Sequence, residues 1–533
     1  MTDAALLRSS GVMTAFTAVS RVTGFLRILV VAAVLGTTFL GNTYQSANTV
    51  PNLLFELVAA GVLQAVLVPT FVALLDKAEV AEAEHVAGSV LGLAGVAMAA
   101  FAAVGMLAAP LLMRLLVSGV DDPAVRADQV RLGTIFLLIF LPQVVFYVGG
   151  MVAGSILNAR DQFAVPAAAP IVNNVVVIAA YVAFAVLRNG QPPSLDLRPV
   201  EIAVLAGGTT LGVAAFCSVP VIAVVRSGFK LRPRLDWRHP AVRRIGALGG
   251  WAALSLAMVQ VLLGVVLVLA NRVEGGVVAY QVAFTFFLLP HALIAIPLVT
   301  ASFPALSRAV HAADLDAFAG GCARVIRLVA FFALPATAAA LALGRPLARL
   351  ALYGEGAERG IEMVAGSVAA FAPGLIGYGL VLFSGRAFAA MGDTRTPALG
   401  TVAMAAAGGA TMFAGFAAAS GSARVPAVAA AHSLAYLTTG VGLMVMLAHR
   451  AGRRLPGLLR PLCAEALGAA VALATMVMVE RSMSSATKPA ALATIVVSGV
   501  AGLALYLPVQ RLAGGLPLRT ITLALSSRPH TDG

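Results

Sequence analysis

Two arginines lie inside the first long apolar stretch of the chain. Residues 20–36 read SRVTGFLRILVVAAVLG, and the apolar run around them extends from 11 to 40. Arg21 and Arg27 keep their charge, because a guanidinium does not lose its proton in a protein. A run of this length can cross a bilayer, where an arginine costs at least about 2.5–3.5 kcal/mol. The two charges therefore need a polar environment within the membrane.

The helical positions of these arginines define a narrow polar face. At about 100° per residue, Ser20, Gly24 and Arg27 share one stripe, and Arg21 lies one step round from it. We expect this stripe to face a water-filled cavity that binds an anion, since the planar guanidinium fork suits phosphate or diphosphate. The alternative is that the arginines only bridge to a carboxylate or to carbonyls at a helix end.

Further polar side chains occur in the neighbouring apolar segments. Asn48 and Glu56 lie on the second segment, and Asn173 and Asn174 lie on the fifth. Glu56 is the expected ion-pair partner of Arg21 or Arg27. A single asparagine in a membrane more often joins helices than binds a ligand, and that alternative applies to each one here. The candidate substrate-binding residues are Arg21, Arg27, Asn48, Glu56, Asn173 and Asn174.

The composition excludes a soluble protein. Of the 533 residues, 60% are hydrophobic and 11% are charged, and the mean hydropathy is +0.95. Soluble domains contain about 25% charged residues. The net charge of +13 does not indicate nucleic-acid binding, because the basic residues fall in short links between apolar runs. The three cysteines lack the spacing of metal or redox sites, so we predict neither a metal nor a cofactor.

The sequence contains no catalytic motif. There is no HExxH, P-loop or Gly-x-Ser-x-Gly pattern. A membrane transferase with diphosphate substrates generally needs Mg²⁺ held by clustered acids, whereas pairs such as Asp121 and Asp122 are interpreted as solvated loop residues. We therefore predict that the chain is not an enzyme, with an integral membrane transferase acting on polyprenyl phosphate as the rival.

The apolar segments predict an all-α, polytopic membrane protein with about fourteen transmembrane helices. The first segment is too long for a cleaved signal peptide and lacks its cleavage site, so we expect it to remain as helix 1. The approximate limits are 11–38, 45–75, 83–117, 128–157, 163–187, 200–225, 241–271, 276–307, 318–344, 360–390, 397–419, 424–448, 457–479 and 486–510.

The distribution of basic residues predicts the orientation. The link 226–244, after helix 6, carries seven Lys or Arg residues, whereas the link 36–42, after helix 1, carries none. Because cytoplasmic links are enriched in Lys and Arg, both termini are predicted to be cytoplasmic. The expected location is the plasma membrane.

Two pairs of short segments suggest an internal repeat with an offset of six helices. GSILNARDQFAVPAAAP from Gly154 corresponds to GRAFAAMGDTRTPALG from Gly385, and VPTFVALL from Val68 corresponds to FPALSRAV from Phe303. Such parallel repeats are typical of transporters with a substrate site between the halves, although a chance match of Gly/Pro patterns is the alternative. The predicted parts are a six-helix lobe at 1–226, a second six-helix lobe at 227–450, two extra helices at 451–512 and a cytoplasmic tail at 513–533.

These motifs resemble the MurJ (MviN) family of lipid II flippases, within the multidrug/oligosaccharidyl-lipid/polysaccharide exporter superfamily. The resemblance covers most of the chain, and the Ala/Gly/Arg-rich composition is similar to actinobacterial members. It rests on SRVTGFLR in helix 1, NTVPNLLFELVAAGVLQAVLVPTF in helix 2, GSILNARDQFAVPAAAPIVNN across helices 4 and 5, SFPALSRAV in helix 8 and AMGDTRTP after helix 10.

The resemblance implies fourteen helices in two six-helix lobes, with a groove for the lipid tail along the last two. It implies movement of the undecaprenyl-diphosphate-linked precursor lipid II from the inner to the outer leaflet by alternating access, for cell-wall synthesis. Arg21 and Arg27 fall on the family's arginine positions. Membrane lipids and cell-wall synthesis proteins are the implied partners, and no nucleic acid is expected.

The sequence departs from the family pattern at four positions. Phe55 and Glu56 stand where proteobacterial members have arginines, and Thr285 stands at another arginine position. Asn42 replaces an aspartate in the first outer link. The positive cavity is therefore expected to be thinner than in those relatives. Export of another lipid-linked glycan and a non-transporting scaffold for cell-wall enzymes stay open as alternatives.

Overall fold

The computed structural model describes residues 3–56, 63–239, 250–352, 357–452, 457–483 and 485–515. These parts of the chain are helical and contain no strand. Only helices satisfy every backbone polar group internally in an apolar chain of this kind, short of a closed barrel. The structure confirms the predicted all-α class.

The chain forms two compact units, Met1–Val278 and Ala279–Gly533. The first unit contains α1 Asp3–Leu35, α2 Phe39–Phe55, α3 Leu63–Asp76, α4 Val80–Leu107, α5 Ala109–Leu116, α6 Pro123–Phe140, α7 Gln143–Ala159, α8 Ala164–Arg188, α9 Pro199–Ile202, α10 Gly208–Arg226 and α11 Gly250–Ala270. A π-helical turn, Ala203–Gly207, joins α9 to α10.

The remaining helices begin with α12, Gly276–Pro290, which crosses the boundary between the units. A π-helical turn, His291–Ala295, joins α12 to α13. The helices of the second unit are α13 Ile296–His311, α14 Leu315–Ala342, α15 Gly344–Ala351, α16 Ala357–Phe371, α17 Gly374–Ala390, α18 Arg395–Ala418, α19 Arg424–Arg450, α20 Leu459–Ser482 and α21 Lys488–Leu512.

Twelve spans in the described residues are long and apolar enough to cross a membrane. The pair Glu358–Phe371 and Gly374–Ala390, bent by 48°, makes a thirteenth if it is one span. The predicted helix 2 corresponds to α2 and α3, and residues 57–62 between them lie outside the described part. The chain is thus a multi-pass membrane protein. The predicted total of fourteen transmembrane helices stays a prediction that is compatible with these spans.

Capping residues explain several helix starts. Asp122 caps α6 by accepting from the backbone N–H of Ala124, with Pro123 at the first helical position. Asp314 caps α14 in the same manner, and Thr487 caps α21. Short polar side chains at these positions satisfy N–H groups that the helix itself leaves unpaired.

The two halves of the predicted repeat have the same backbone at corresponding helix ends. Ala78, after α3, and Ala313, after α13, both adopt left-handed φ angles, of 58° and 53°. In each turn the next N–H donates to a carbonyl five residues back, Glu79 to Leu74 and Asp314 to Ala309, both at 3.0 Å. This is the Schellman geometry, which satisfies the last carbonyls of a helix.

A second pair of turns follows the same rule. Asp161, after α7, has φ 58°, and Gly392, after α17, has φ 75°. Gln162 N donates to Leu157 O at 2.8 Å, and Asp393 N donates to Phe388 O at 2.9 Å. These matches support the predicted repeat locally. The division into units falls at 278/279 instead of the predicted lobe boundary at 226/227, and the lobe limits stay a prediction.

Buried aromatic residues form the core of the first unit. Tyr44 has T-shaped contacts with Phe136, Phe140 and Tyr181, at ring distances of 5.7–5.8 Å. The Tyr44 hydroxyl also hydrogen-bonds those of Tyr181 and Thr209, at 2.8 and 2.6 Å. Since each buried hydroxyl has a partner, the polar atoms stiffen this core instead of weakening it.

Residues 229–239 form an extended strap along the start of α4. Arg234 N donates to Gly88 O at 2.8 Å, and Lys230 N donates to Glu84 Oε1 at 2.8 Å. His85 Nε2 donates to Asp236 Oδ2 at 3.0 Å, and this bond outweighs partial burial and lowers the pKa of Asp236. The strap is thereby held to α4 by backbone and side-chain bonds together.

Candidate functional site

A polar cavity of about 590 Å³ lies within the first unit. It is bordered by helices α1, α2, α7, α8 and α10. Its lining residues are Arg27, Asn48, Asn52, Phe55, Glu56, Tyr147, Pro170, Asn173, Val177, Tyr181, Thr209, Val213 and Phe216. Four of the six predicted site residues, Arg27, Asn48, Glu56 and Asn173, therefore line one cavity.

Arg27 is half-buried at the wall of this cavity. With its amide oxygen turned towards α1, Asn173 accepts a hydrogen bond from Arg27 Nη1 at 3.2 Å and donates to Gly212 O at 3.3 Å. Gly212 allows this approach, because a Cβ there would lie 2.8 Å from the end of the Asn173 amide. A neutral amide thus orients the guanidinium and leaves its positive charge in place.

The predicted ion pair between Glu56 and either arginine is wrong. Glu56 follows directly after α2 and lines the cavity, but its Oε2 accepts a hydrogen bond from Gln260 Nε2 at 2.5 Å. Gln260 is a buried residue of α11. Within the described residues, no carboxylate forms an ion pair with Arg27. The cavity consequently contains both a guanidinium and a carboxylate that do not neutralise each other by contact.

Arg21 and Asn174 lie away from the cavity lining. Arg21 is exposed on α1, six residues or about 9 Å from Arg27 along the helix axis. Asn174 is buried, and its Nδ2 donates to Thr23 Oγ1 at 3.0 Å and to Ser20 O at 3.4 Å. Asn174 therefore joins α8 to α1. This is the alternative to ligand binding that applied to each asparagine of the candidate site.

Several lining residues were not predicted. Asn52 lies one turn after Asn48 on the same face of α2, so helical periodicity could have identified it. Its Oδ1 accepts from the Tyr147 hydroxyl at 2.9 Å. Tyr147 also lies against Phe55, with ring centroids 4.2 Å apart. The tyrosine had no sequence signal, because an aromatic residue on an apolar helix is typical of packing.

The positions of the missing family arginines have different surroundings. Phe55 and Glu56 line the cavity. Because these two residues stand in place of arginines, the positive charge is missing from the site itself. Thr285 lies on α12, and its Oγ1 donates to the carbonyl of Gln281 at 2.8 Å within the same helix. Arg27 is the arginine among the lining residues of this cavity, and a thinner positive charge than in the relatives stays a prediction.

A polar, mostly pre-formed cavity inside a bundle of apolar helices defines a membrane transporter. A family model described as lipid II flippase MurJ matches residues 31–499. The chain belongs to this lipid II flippase family.

Individual proteins are also similar to this chain in sequence or in fold. A probable lipid II flippase MurJ from Vibrio cholerae serotype O1 is 27% identical over 406 residues, which cover 75% of each chain. A solved structure of lipid II flippase MurJ in an inward closed conformation has a TM-score of 0.75 and 17% identity, covering 94% of this chain and 98% of that one. An inward-facing MATE family multidrug transporter of the MOP superfamily has a TM-score of 0.61 and 13% identity. This match covers 83% of this chain and 94% of that transporter.

Proposed function

We propose that the chain moves lipid II, an undecaprenyl-diphosphate-linked peptidoglycan precursor, from the inner to the outer leaflet of the plasma membrane. The observation that carries this proposal is the charge of Arg27 in the cavity, oriented by Asn173 and without a carboxylate contact among the described residues. A guanidinium in such a site favours a phosphate or diphosphate group.

The six predicted site residues have separate roles in this proposal. Arg27, Asn48 and Asn173 bind the diphosphate head in the cavity, and Glu56 contributes to its selection. Arg21, about two turns nearer to the predicted cytoplasmic end of α1, attracts the head before it enters. Asn174 keeps α8 against α1 and so positions Asn173.

Transport proceeds by alternating access, in which each side of the cavity opens in turn. We assign closure of the predicted outer side to contacts where α2 begins. Asn42 Nδ2 donates to Val273 O at 2.8 Å, and Val277 N donates to Asn42 Oδ1 at 3.0 Å. These bonds must break when that side opens. The lipid tail follows α20 and α21, whose outward faces carry exposed apolar residues such as Met478 and Val500.

The proposed topology has both termini in the cytoplasm, and cell-wall synthesis enzymes are the expected partners that use the product. The basic strap, which lies in the link after α10, supports this orientation.

Reconstituted flipping tests the function. Purified wild-type protein in liposomes is expected to move fluorescent lipid II between leaflets, and Arg27→Ala is expected to slow this by at least about tenfold, since charge-assisted hydrogen bonds contribute about 1.5–3 kcal/mol. Arg324→Ala removes an exposed arginine from α14 and is the control. Wild-type protein that moves another lipid-linked glycan but not lipid II, or unchanged flipping by Arg27→Ala, would contradict the proposal.

A further inference from the structure

The cavity contains one feature that an anion site does not need. Among its lining residues, Glu56 carries a negative charge in the same space that Arg27 makes positive. A carboxylate near a phosphate site raises the energy of a bound anion, since like charges repel through a medium of reduced dielectric. A positively charged group on the ligand would compensate for this repulsion.

The carboxylate is placed to meet a ligand. Asn48, Asn52 and Glu56 follow each other at intervals of four, so they share one face of the helix over about 12 Å. Glu56 is exposed to the cavity, and Gln260 occupies one of the roughly four lone-pair positions of its carboxylate. No Lys, Arg or His of the described residues forms an ion pair with Glu56. The remaining oxygen positions are therefore available to a donor from outside.

The surroundings of Glu56 suit a cation. Phe55 and Tyr147 line the cavity beside it, with ring centroids 4.2 Å apart. Aromatic faces attract ammonium groups, and a carboxylate accepts their hydrogen bonds. The Tyr147 hydroxyl points its proton at Asn52 Oδ1, so the tyrosine does not occupy the carboxylate as a donor.

We propose that Glu56 binds an ammonium group of the same substrate head whose phosphate binds Arg27, so that the cavity prefers a zwitterionic head over one that is only anionic. The proposal rests on the function proposed above and adds a determinant of specificity. Gln260 is then a positioning residue, because its amide fixes the carboxylate from α11 without using all of its acceptor capacity.

The rival interpretation is that Glu56 only ties α2 to α11 through Gln260. The two interpretations differ for Glu56→Gln, which keeps the shape and a hydrogen-bonding amide but removes the charge. A purely structural residue would then affect every substrate alike, whereas a determinant of specificity would change the ratio of the rates of the two substrates.

The test uses full-length protein in liposomes with two diphosphate-linked glycolipids that differ only in a free or acetylated head-group amine. Wild type is expected to move the free amine about tenfold faster, the factor expected from one charge-assisted hydrogen bond. Glu56→Gln should abolish this preference, because it removes both the attraction for the free ammonium group and the repulsion of the acetylated, purely anionic head, while Glu56→Asp keeps the preference. Glu79→Gln, which removes an exposed carboxylate next to α4, is the matched control.

The outcomes separate this proposal from the function on which it rests. Wild type that moves neither lipid would overturn the proposed function and the role of Glu56 with it. Equal wild-type rates for both lipids, or equal slowing of both by Glu56→Gln in a protein with unchanged thermal stability, would overturn only the role of Glu56.

Discussion

The Asn173 side chain lies 3.2 Å from a guanidinium nitrogen of Arg27 and holds it with a neutral amide. A carboxylate at the same place would hold the guanidinium more strongly, but it would also cancel the charge that a phosphate needs. The pairing of an arginine with an asparagine therefore combines orientation with retained positive charge. This relationship makes the residue at 173 decisive for anion binding.

Asn173→Asp is expected to reduce lipid II flipping more than Asn173→Ala does. The aspartate supplies a counter-ion to Arg27, so we expect a loss of at least about tenfold, whereas alanine removes one hydrogen bond and costs about two- to tenfold. Initial flipping rates of the two variants in liposomes, compared with wild type, measure both losses. A larger loss in Asn173→Ala than in Asn173→Asp would contradict this account of the charge.

Asn42→Ala is expected to loosen the start of α2. Asn42 is fully buried and uses both ends of its amide. Its loss removes the side-chain acceptor of Val277 N and leaves Val273 O with the hydrogen bond from Gly276 N alone, at a cost of about 1–3 kcal/mol. We expect a cysteine at the buried Ser46 to react at least about fivefold faster with a hydrophilic thiol reagent. The labelling is measured in protein whose native cysteines, Cys217, Cys322 and Cys463, have been replaced, so that only position 46 carries a thiol.

The control for this experiment is Gln191→Ala, which removes an exposed amide from the link after α8. The labelling rate at position 46 should stay at its original value in that variant. A rate that Asn42→Ala leaves unchanged would show that the two bonds do not limit opening at the start of α2.

Gly92→Ala is expected to displace the strap from α4. A Cβ at Gly92 would overlap the backbone of Arg234, whereas a Cβ at Gly95 would meet nothing within 4 Å. Both substitutions gain the same helix propensity of up to about 1 kcal/mol, so their difference isolates the overlap, which costs about 1–3 kcal/mol. Trypsin cleavage after Lys230 and Arg234 should be about tenfold faster in Gly92→Ala than in Gly95→Ala. Equal cleavage rates would refute the tight contact.

The sequence predicted the features that depend on one helix at a time. The stripe of Ser20, Gly24 and Arg27 identified the polar face of α1, and Arg27 does line a cavity. The two pairs of repeated turns predicted helix ends, because Schellman geometry depends on a few neighbouring residues. The apolar runs predicted the helices, since the bilayer permits little else.

Features that depend on which helices meet could not be predicted from the sequence. Asn173 and Asn174 are neighbours, but they point about 100° apart, so that one contacts Arg27 and the other contacts Thr23. Glu56 was assigned to an arginine because opposite charges attract, whereas the fold brings Gln260 to it from a helix about 200 positions away in sequence. Tyr147 required the same tertiary knowledge.

Asp393 gives a pH-dependent prediction outside the membrane spans. Its carboxylate accepts from Thr396 Oγ1 at 2.6 Å and Thr396 N at 3.0 Å, and Arg450 Nη2 lies 3.4 Å away on α19. Burial opposes ionisation, but these hydrogen bonds and the arginine outweigh it and lower the pKa of Asp393. A lowered pKa stabilises the folded state above the unfolded pKa of about 3.9, and the effect is lost as the pH falls through the folded pKa.

An asparagine at position 393 would keep an oxygen that can accept the capping hydrogen bonds but would lose the charge that Arg450 faces. Asp393→Asn should therefore lower the free energy of unfolding by up to about 1 kcal/mol at pH 7, and by the same amount at pH 5.5. Below about pH 4 the difference from wild type should shrink, because the carboxylate of the unfolded wild-type chain then takes up a proton while the folded one is still ionised. Thermal unfolding in detergent between pH 7 and 3.5 measures this difference. Asp196→Asn removes an exposed carboxylate from the link after α8 and should cost less than about 0.5 kcal/mol at every pH. A wild-type advantage that persists unchanged at pH 3.5 would show that the turn, and not the ionised Asp393, holds α17, α18 and α19 together.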